Sequence, residues 1–452
     1  MKINKAIFKA YDIRGKVGID LNIDIARSIG RALADLLETP GAVAVGYDMR
    51  PASVEYAAAL REGIREQGRD VVDIGLVTSD MIYFAVGSEN LAGGAMITAS
   101  HNPGGDDGIK LCRREASPIG IDTGLLKIER AVVDDDFKKG NIHGSVTRKN
   151  LNHAWIKHAL GFVDPLGWPA YKVGVDAGNG MAGAILPGLK GLTPLDIKPL
   201  YWELDGTFPN HPASPIDPKN LVDLVELIRR DSLDFGIAFD GDGDRAFLVD
   251  SKGQQVSGTV MTAIIAEAML AKHPGATILY NAICGRVVPE TISRLGGIGV
   301  RTKVGHSYIK IKMRELDSPF AGEHSGHFYF KDNYFADSGL IAALVAIDVL
   351  AKSGLSLLEL ADKYRTYFDS GEINYKVTNK QATIEGFRDH FKDGVADDLD
   401  GLTINYPDWW FNVRPSNTEP YIRINIEANS KGLLNEKTVE IIHSLPKGSV
   451  QS

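Results

Sequence analysis

The stretch Thr98-Ala99-Ser100-His101-Asn102-Pro103, followed by Gly104-Gly105-Asp106-Asp107-Gly108-Ile109-Lys110, decides how the chain is read. The apolar run Ala95-Met96-Ile97 before it reads as a short buried strand, and the Gly- and Pro-rich segment as the loop that ends it. Ser100 therefore stands at the mouth of a sheet, where a rigid scaffold carries reactive loops. A serine hydroxyl is a weak nucleophile until a base, a cation or a metal activates it. His101 is adjacent, and Lys110 lies at the end of the loop. The same residues also suit a polar turn whose Ser and Asn bond their own backbone, so the choice rests on the rest of the chain.

Working outward, Leu21 to Leu37 has helical apolar spacing, and Val43 to Asp48 reads as a buried strand ending in Asp. Ser53 is placed to cap a helix running to Gln67, and Val71 to Gly75 is another strand. Alternating strands and helices argue for a mostly parallel sheet covered on both faces. The pattern restarts at Lys172–Gly180 and again at Thr277–Asn281, each time a strand running into a Gly-containing turn. Three such starts predict three related α/β domains. Beyond the helix-rich stretch Leu340 to Tyr367 the strands shorten, which predicts a smaller α+β domain. The expected boundaries are 1–150, 151–252, 253–368 and 369–452, the first marked by the polar run Asp134 to Gly140.

A chain of 452 residues has room for several cores. Its net charge of −8 argues against a nucleic-acid partner, which recruits basic surfaces. Two cysteines, Cys112 and Cys284, give neither a zinc spacing nor a disulfide framework and fit a reducing compartment. The apolar stretch Leu340 to Ile347 is far short of the ~20 residues a membrane span needs. The start Met1-Lys2-Ile3-Asn4-Lys5 has no signal-peptide core, so a cytoplasmic protein is expected.

Phe235–Phe239 reads as a strand running into Asp240-Gly241-Asp242-Gly243-Asp244-Arg245. Three carboxylates at alternate positions repel one another unless a hard cation gathers them, and oxygen ligands suit Mg²⁺ or Ca²⁺. An EF-hand would need Gly at its sixth position and Glu at its twelfth, where Arg245 and Ser251 stand. Mg²⁺ is the better choice, because it leaves coordination positions for a phosphate oxygen. Glu323 and Ser325, two apart in Gly322-Glu323-His324-Ser325-Gly326-His327, would point the same way in an extended loop and form a fork for two hydroxyls. His306, His324 and His327 lack a tight zinc-ligand pair. In Arg414-Pro415-Ser416-Asn417-Thr418, one Arg and three hydrogen-bonding side chains can wrap a dianion. Tyr11 and Arg14, in Phe8 to Gly15, form a further candidate anion contact, with an ordinary surface turn as the alternative.

Together FKAYDIRG, TASHNP, DGDGDR, GEHSGH and RPSNTEP occur in the order found in the α-D-phosphohexomutase family, and the chain resembles its phosphomannomutase/phosphoglucomutase branch over its whole length. The resemblance implies three similar mixed-sheet α/β domains and a smaller C-terminal α+β domain around a central cleft. It implies phosphorylation at Ser100, and Mg²⁺ held by Asp240, Asp242 and Asp244 with the phosphoserine. His101 becomes a candidate general base, with Lys110, Arg14 and Arg245 around the transferring group. Tyr11, Gly305, His306, Glu323 and Ser325 would meet the sugar, and Arg414, Ser416, Asn417 and Thr418 the distal phosphate. The implied reaction interconverts mannose 1- and 6-phosphates, and glucose phosphates, through a hexose 1,6-bisphosphate, in a monomer or weak homodimer. Phosphoglucosamine mutase, a slow phosphatase and a degenerate phosphosugar-binding homologue are the alternatives. Two positions depart from the pattern. Asp107 stands where the family usually has Asn and is expected to bring charge towards the phosphate unless Lys110 or Arg113 offsets it, or to pair with Lys110. Ile283 stands where a cation is common, leaving Arg286 or Lys303 to replace it.

Overall fold

Val43–Tyr47, the strand expected from its apolar run, lies at the centre of a six-stranded sheet. The structure is a computed structural model, and it describes residues 3–138, 142–416 and 421–451. Val43–Tyr47 pairs in parallel with Val71–Leu76 and Gly93–Ile97. Asp106–Arg113 then returns antiparallel beside Gly93–Ile97, with Ile13–Lys16 on its outer edge. The helices Ile23–Leu36 and Ser53–Glu66 pack side by side over this sheet. Ser53 is the first helical residue rather than the expected cap; its hydroxyl turns towards Asp48 and Asp107 instead.

The two later repeats also build mixed sheets. In the second, Lys172–Asp176 pairs in parallel with Asp196–Leu200 and Phe235–Phe239, and Ala246–Asp250 closes a hairpin on Phe235–Phe239. In the third, Thr277–Asn281 lies between Ile298–Thr302 and Phe320–Gly322, both parallel to it. The last sheet is antiparallel and runs through Val395–Asp397, Leu402–Asn405, Trp409–Pro415, Tyr421–Ala428, Phe368–Lys376 and Val450–Gln451.

One apolar core runs through the first three units. It joins Met81 and Phe84 to Trp155 and Phe235, and these to Ile264, Phe328 and Ile341. Helix Gly339–Ser353 lies within it, with every residue from Gly339 to Asp348 buried. Its apolar run is thus explained by burial on all sides, as expected for a core helix. Among the described residues no helix is long and apolar enough to cross a membrane.

The last unit has its own core, built on Phe387, Phe391, Trp409, Phe411 and Ile424. Polar contacts tie it to the third unit. Arg286 donates to the carbonyls of Tyr406, Pro407 and Trp409, and its own N–H to Glu427. Asp400 accepts from the Val304 N–H at 3.0 Å, and Arg301 pairs with Asp397.

These separate cores predict separate unfolding. Phe387→Ala, which deletes a fully buried ring, is expected to destabilise the C-terminal unit by about 3–5 kcal/mol. Calorimetry should show one transition moving down while that of the first three units stays in place. A single transition moving as a whole would contradict the division.

Candidate active site

Strand Gly93–Ile97 delivers the Ser100 loop, and Ser100 itself has φ +56°. For a residue with a Cβ this left-handed conformation costs about 1–2 kcal/mol, so its surroundings must hold it. Arg50 does most of this. It is buried, and its guanidinium donates to the carbonyls of Ser100 (2.8 Å), Asn102 (2.7 Å), Pro103 (2.8 Å) and Asp106 (2.9 Å). Arg14 adds the Ala99 carbonyl at 3.2 Å and Asn102 Oδ1 at 2.6 Å, while Asp12 fixes its Nε at 2.8 Å. Arg50 was not singled out from the sequence; the available signal was its place two residues after Asp48, at the end of a buried strand.

The loop from Asp240 to Arg245 joins the two strands of the second unit's hairpin and meets the Ser100 loop backbone to backbone. A Cβ on Gly241 would lie 2.5 Å from the Ser100 carbonyl oxygen, so only glycine allows this approach. Asp240, Asp242 and Asp244 are fully or almost fully buried. Ser100 Oγ lies 3.2 Å from Asp240 Oδ2. Lys110 Nζ bridges Asp242 (2.6 Å) and Asp244 (2.5 Å), and Ser79 also donates to Asp242. Burial pushes Asp240 up to about 8, with Arg245 opposing and the two neighbouring carboxylates adding to the rise. For Asp242 burial acts upward too, but the Lys110 ion pair prevails and lowers it.

Arg245 completes this centre. Its Nε binds Asp240 at 2.8 Å, and one Nη lies 2.5 Å from His101 Nδ1 and 3.5 Å from Ser100 Oγ. A guanidinium only donates, so His101 Nδ1 presents a lone pair. The protein packed around the imidazole, then Arg245 and Arg14, hold it well below the ordinary histidine range. His101 nevertheless keeps exposed surface, and its Nδ1 is 3.2 Å from Ser100 Oγ.

The third unit contributes a wall. Gly305 (φ +130°) caps helix His306–Leu316, and a Cβ there would strike the Tyr11 hydroxyl at 2.4 Å. Tyr11 donates to the Val304 carbonyl at 3.1 Å, and its ring stands edge-on to His306. Glu323 does not form the expected fork with Ser325. The segment turns, and the buried Glu323 carboxylate accepts from Gly305 N–H (3.0 Å), Asn281 (3.3 Å) and the Tyr329 hydroxyl (2.6 Å). Ser325 instead contacts His327 Nδ1 at 3.1 Å. Sequence reasoning also missed Lys310, which is fully buried, 2.5 Å from Asp337 and over the Tyr83 ring. Its signal was its place one helical turn after His306.

In the C-terminal unit Arg414 is buried and pairs with Glu372 at 2.5 Å, and the buried Ser416 turns back through its N–H to the Tyr421 carbonyl. Burial lowers the Arg414 guanidinium, with Glu372 opposing; Glu323 of the third unit also raises it. Asn417 and Thr418 lie outside the described residues.

The expectation for Asp107 needs correction. In strand Asp106–Arg113 successive side chains alternate faces, so Asp107 points away from Lys110. It lies buried against Ser53 and does not pair with Lys110, which is held by Asp242 and Asp244. Ile283 is buried, and of the two expected replacements Arg286 is bound to the C-terminal unit's carbonyls, whereas Lys303 is exposed two residues before Gly305.

The residues fit a divalent cation. Oxygens of Asp240, Asp242 and Asp244 lie within 4.8 Å of one another, and the buried Asp242 Oδ1 and Asp244 Oδ1 have no hydrogen-bond partner. A second grouping, Asp244 with His327 and Asp337, has its Asp337 oxygen engaged by Lys310.

Sequence models of the four domains of phosphoglucomutase/phosphomannomutase match in chain order. They are α/β/α domains I (residues 5–139), II (155–253) and III (257–367), and the C-terminal domain (372–444). This is the phosphohexomutase class of enzyme. The chain belongs to the phosphoglucomutase/phosphomannomutase family. It is 39% identical over 444 residues to a protein of Xanthomonas campestris pv. campestris named "Phosphohexose mutases", covering 98% of this chain and 99% of that one. A phosphomannomutase of Salmonella montevideo is also 39% identical, over 453 residues, with the same coverage. Among solved structures, a phosphoglucomutase/phosphomannomutase family protein of Burkholderia thailandensis superposes with a TM-score of 0.91 at 32% identity, covering all of both chains.

The carboxylate cluster generates a binding prediction. Asp242→Asn is expected to weaken Mg²⁺ in titration calorimetry by more than the ~10–100-fold that loss of a supporting partner typically costs. Unchanged affinity in a folded variant would remove Asp242 from the site.

Proposed function

We propose that the chain is a phosphomannomutase that also turns over glucose phosphates, working through phosphorylated Ser100 and a hexose 1,6-bisphosphate. The observation that carries this reading is the meeting of Ser100 Oγ with Asp240 (3.2 Å), His101 (3.2 Å) and Arg245 (3.5 Å), beside a buried three-carboxylate cluster. The named activities of the relatives support the substrate class.

Phosphoryl transfer depends on positioning and on cations around the equatorial oxygens more than on a strong base. Asp240, Asp242 and Asp244 would hold Mg²⁺ together with the phosphoserine. Bound there, the ion would neutralise charge on the phosphoryl oxygens. In the first half-reaction the P–O bond to Ser100 breaks as a P–O bond to the free sugar hydroxyl forms, and the hydroxyl proton ends on Ser100. In the second, the other phosphoryl group of the bisphosphate returns to Ser100 and the proton to the sugar oxygen. His101, kept neutral, carries that proton. Its Nδ1 becomes available when Arg245, which now donates to it, turns to the phosphoryl oxygens. Arg14 and Lys110 add positive charge on either side. Tyr11, Gly305, His306, Glu323 and Ser325 orient the sugar, Glu323 by presetting the Gly305 turn rather than by a free fork. Arg414 and Ser416, with Asn417 and Thr418, grip the phosphate that is not reacting. That grip requires Glu372 to yield Arg414 to the ligand.

The binding-protein alternative drew on Asp107 and Ile283, and Asp107 faces away from the reacting groups. The test is steady-state turnover of mannose, glucose and glucosamine 1-phosphates with Mg²⁺ and a trace of hexose 1,6-bisphosphate. Mannose and glucose phosphates should isomerise, glucosamine phosphate should lag, and Ser100→Ala should be inactive. Arg414→Ala should lose about 1.5–3 kcal/mol of transition-state binding, roughly 10–100-fold in kcat/KM. Release of inorganic phosphate without isomer would favour a phosphatase, and binding without turnover a phosphosugar-binding protein.

A further inference from the structure

The Asp107 side chain ends in a buried chain of hydrogen bonds and one ion pair that leads to the Ser100 loop. Ser53 Oγ lies 2.7 Å from Asp48 Oδ1 and 2.9 Å from Asp107 Oδ2. A hydroxyl has one hydrogen to donate, and an ionised carboxylate has none. Two contacts with two anions would therefore leave one pair of oxygens facing each other with no hydrogen between them. One of the two carboxyls must carry a proton.

The other contacts decide which. Asp48 Oδ1 also accepts the Arg50 N–H at 3.0 Å, and Asp48 Oδ2 faces Arg50 Nε at 3.3 Å. Asp48 is thus the anion opposite a guanidinium. Asp107 Oδ1 accepts the Gly108 N–H at 2.8 Å, which leaves Oδ2 as its protonated oxygen. The chain then runs Asp107 Oδ2–H to Ser53 Oγ–H to Asp48, from Asp48 to Arg50, and from Arg50 to the four carbonyls of the Ser100 loop.

We propose that protonated Asp107 is a positioning residue for Ser100, supplying the hydrogen that keeps Asp48 and Arg50 aligned on the loop. The proposal rests on Ser100 being the reacting group. The groups facing Asp107 are Asp48 and Arg50 after the central strand, and Tyr56 on helix Ser53–Glu66, whose hydroxyl donates to the Leu21 carbonyl. The neighbouring strand Ile13–Lys16 presents its backbone at Gly15, and Lys110 lies on the opposite face. Burial, then the Asp48 charge, push Asp107 up to about 7, so the proton is held below neutral pH and half released near it. Loss of that proton sets two anions beside one guanidinium and draws Arg50 away from the carbonyls. An amide at this position makes the same donation, so the acid stands in for an Asn as long as it stays protonated.

Two measurements on the full-length protein test this. The first is the difference in Tm between Asp107→Asn and the natural chain across pH 4 to 9. A carboxyl raised by folding contributes less stability as pH climbs from its unfolded to its folded value. The advantage of the Asn variant should therefore grow from about pH 4 to about pH 7 and then level off. A difference independent of pH would overturn the proton. The second is the pH profile of kcat and KM for hexose phosphate turnover. The natural chain should lose kcat above about pH 7 with KM unmoved, and Asp107→Asn should abolish that loss. Asp107→Ala should lower kcat about tenfold or more at every pH, and the Asn variant should restore it. The same alkaline loss in Asp107→Asn would overturn the positioning role. Absence of turnover in the natural chain would instead overturn the mutase reading. The Tm series would then still decide the proton, and amide exchange of residues 98–106, faster in the natural chain than in Asp107→Asn above pH 7, would decide the hold on the loop. Equal exchange in the two would overturn it.

Discussion

Three buried carboxylates within 4.8 Å of one another are the constraint on which the rest of the site depends. Left to themselves they would repel, and burial would drive protons onto them. The protein surrounds them with opposite charge: Lys110 against Asp242 and Asp244, and Arg245 against Asp240. Lys110 arrives on a strand of the first unit, whereas the carboxylates sit on a hairpin of the second. The two sheets must therefore be fixed relative to each other, and the continuous apolar core of the first three units does this. The C-terminal unit, with a core of its own and a polar seam to the third, is held by a different and more exchangeable kind of contact.

The Ser100 loop is the second half of the same design. Its left-handed serine is held by carbonyl contacts from Arg50 and Arg14, together with the close approach of Gly241. Carbonyl oxygens leave the serine hydroxyl itself free to meet Asp240 and His101. Cations thus serve two purposes here: Lys110 and Arg245 balance the carboxylates, while Arg50 shapes the loop.

Much of the fold was legible, because strands such as Val43–Tyr47, Lys172–Asp176, Phe235–Phe239 and Thr277–Asn281 are continuous apolar runs ended by polar turns. The carboxylate cluster was legible because Asp at alternate positions has few other uses. What stayed hidden depends on contacts distant in sequence. Arg50 reaches a loop about fifty residues away, and Lys310 is buried against Asp337 and Tyr83. The expected fork of Glu323 with Ser325 assumed an extended segment where the chain turns. Asp107 was misread for a similar reason. Its neighbours in sequence suggested Lys110, whereas the pleat of the strand turns the two side chains to opposite faces.

The central claim is that Ser100 carries the phosphoryl group between two positions of one sugar. Its most direct test is mass spectrometry of the protein after mixing with hexose 1,6-bisphosphate and Mg²⁺, before and after a chase of hexose monophosphate. The account predicts a single phosphoryl group, located by fragmentation on Ser100, which leaves on the chase as bisphosphate appears. A protein that takes up no phosphoryl group, or takes it at another residue, would contradict it.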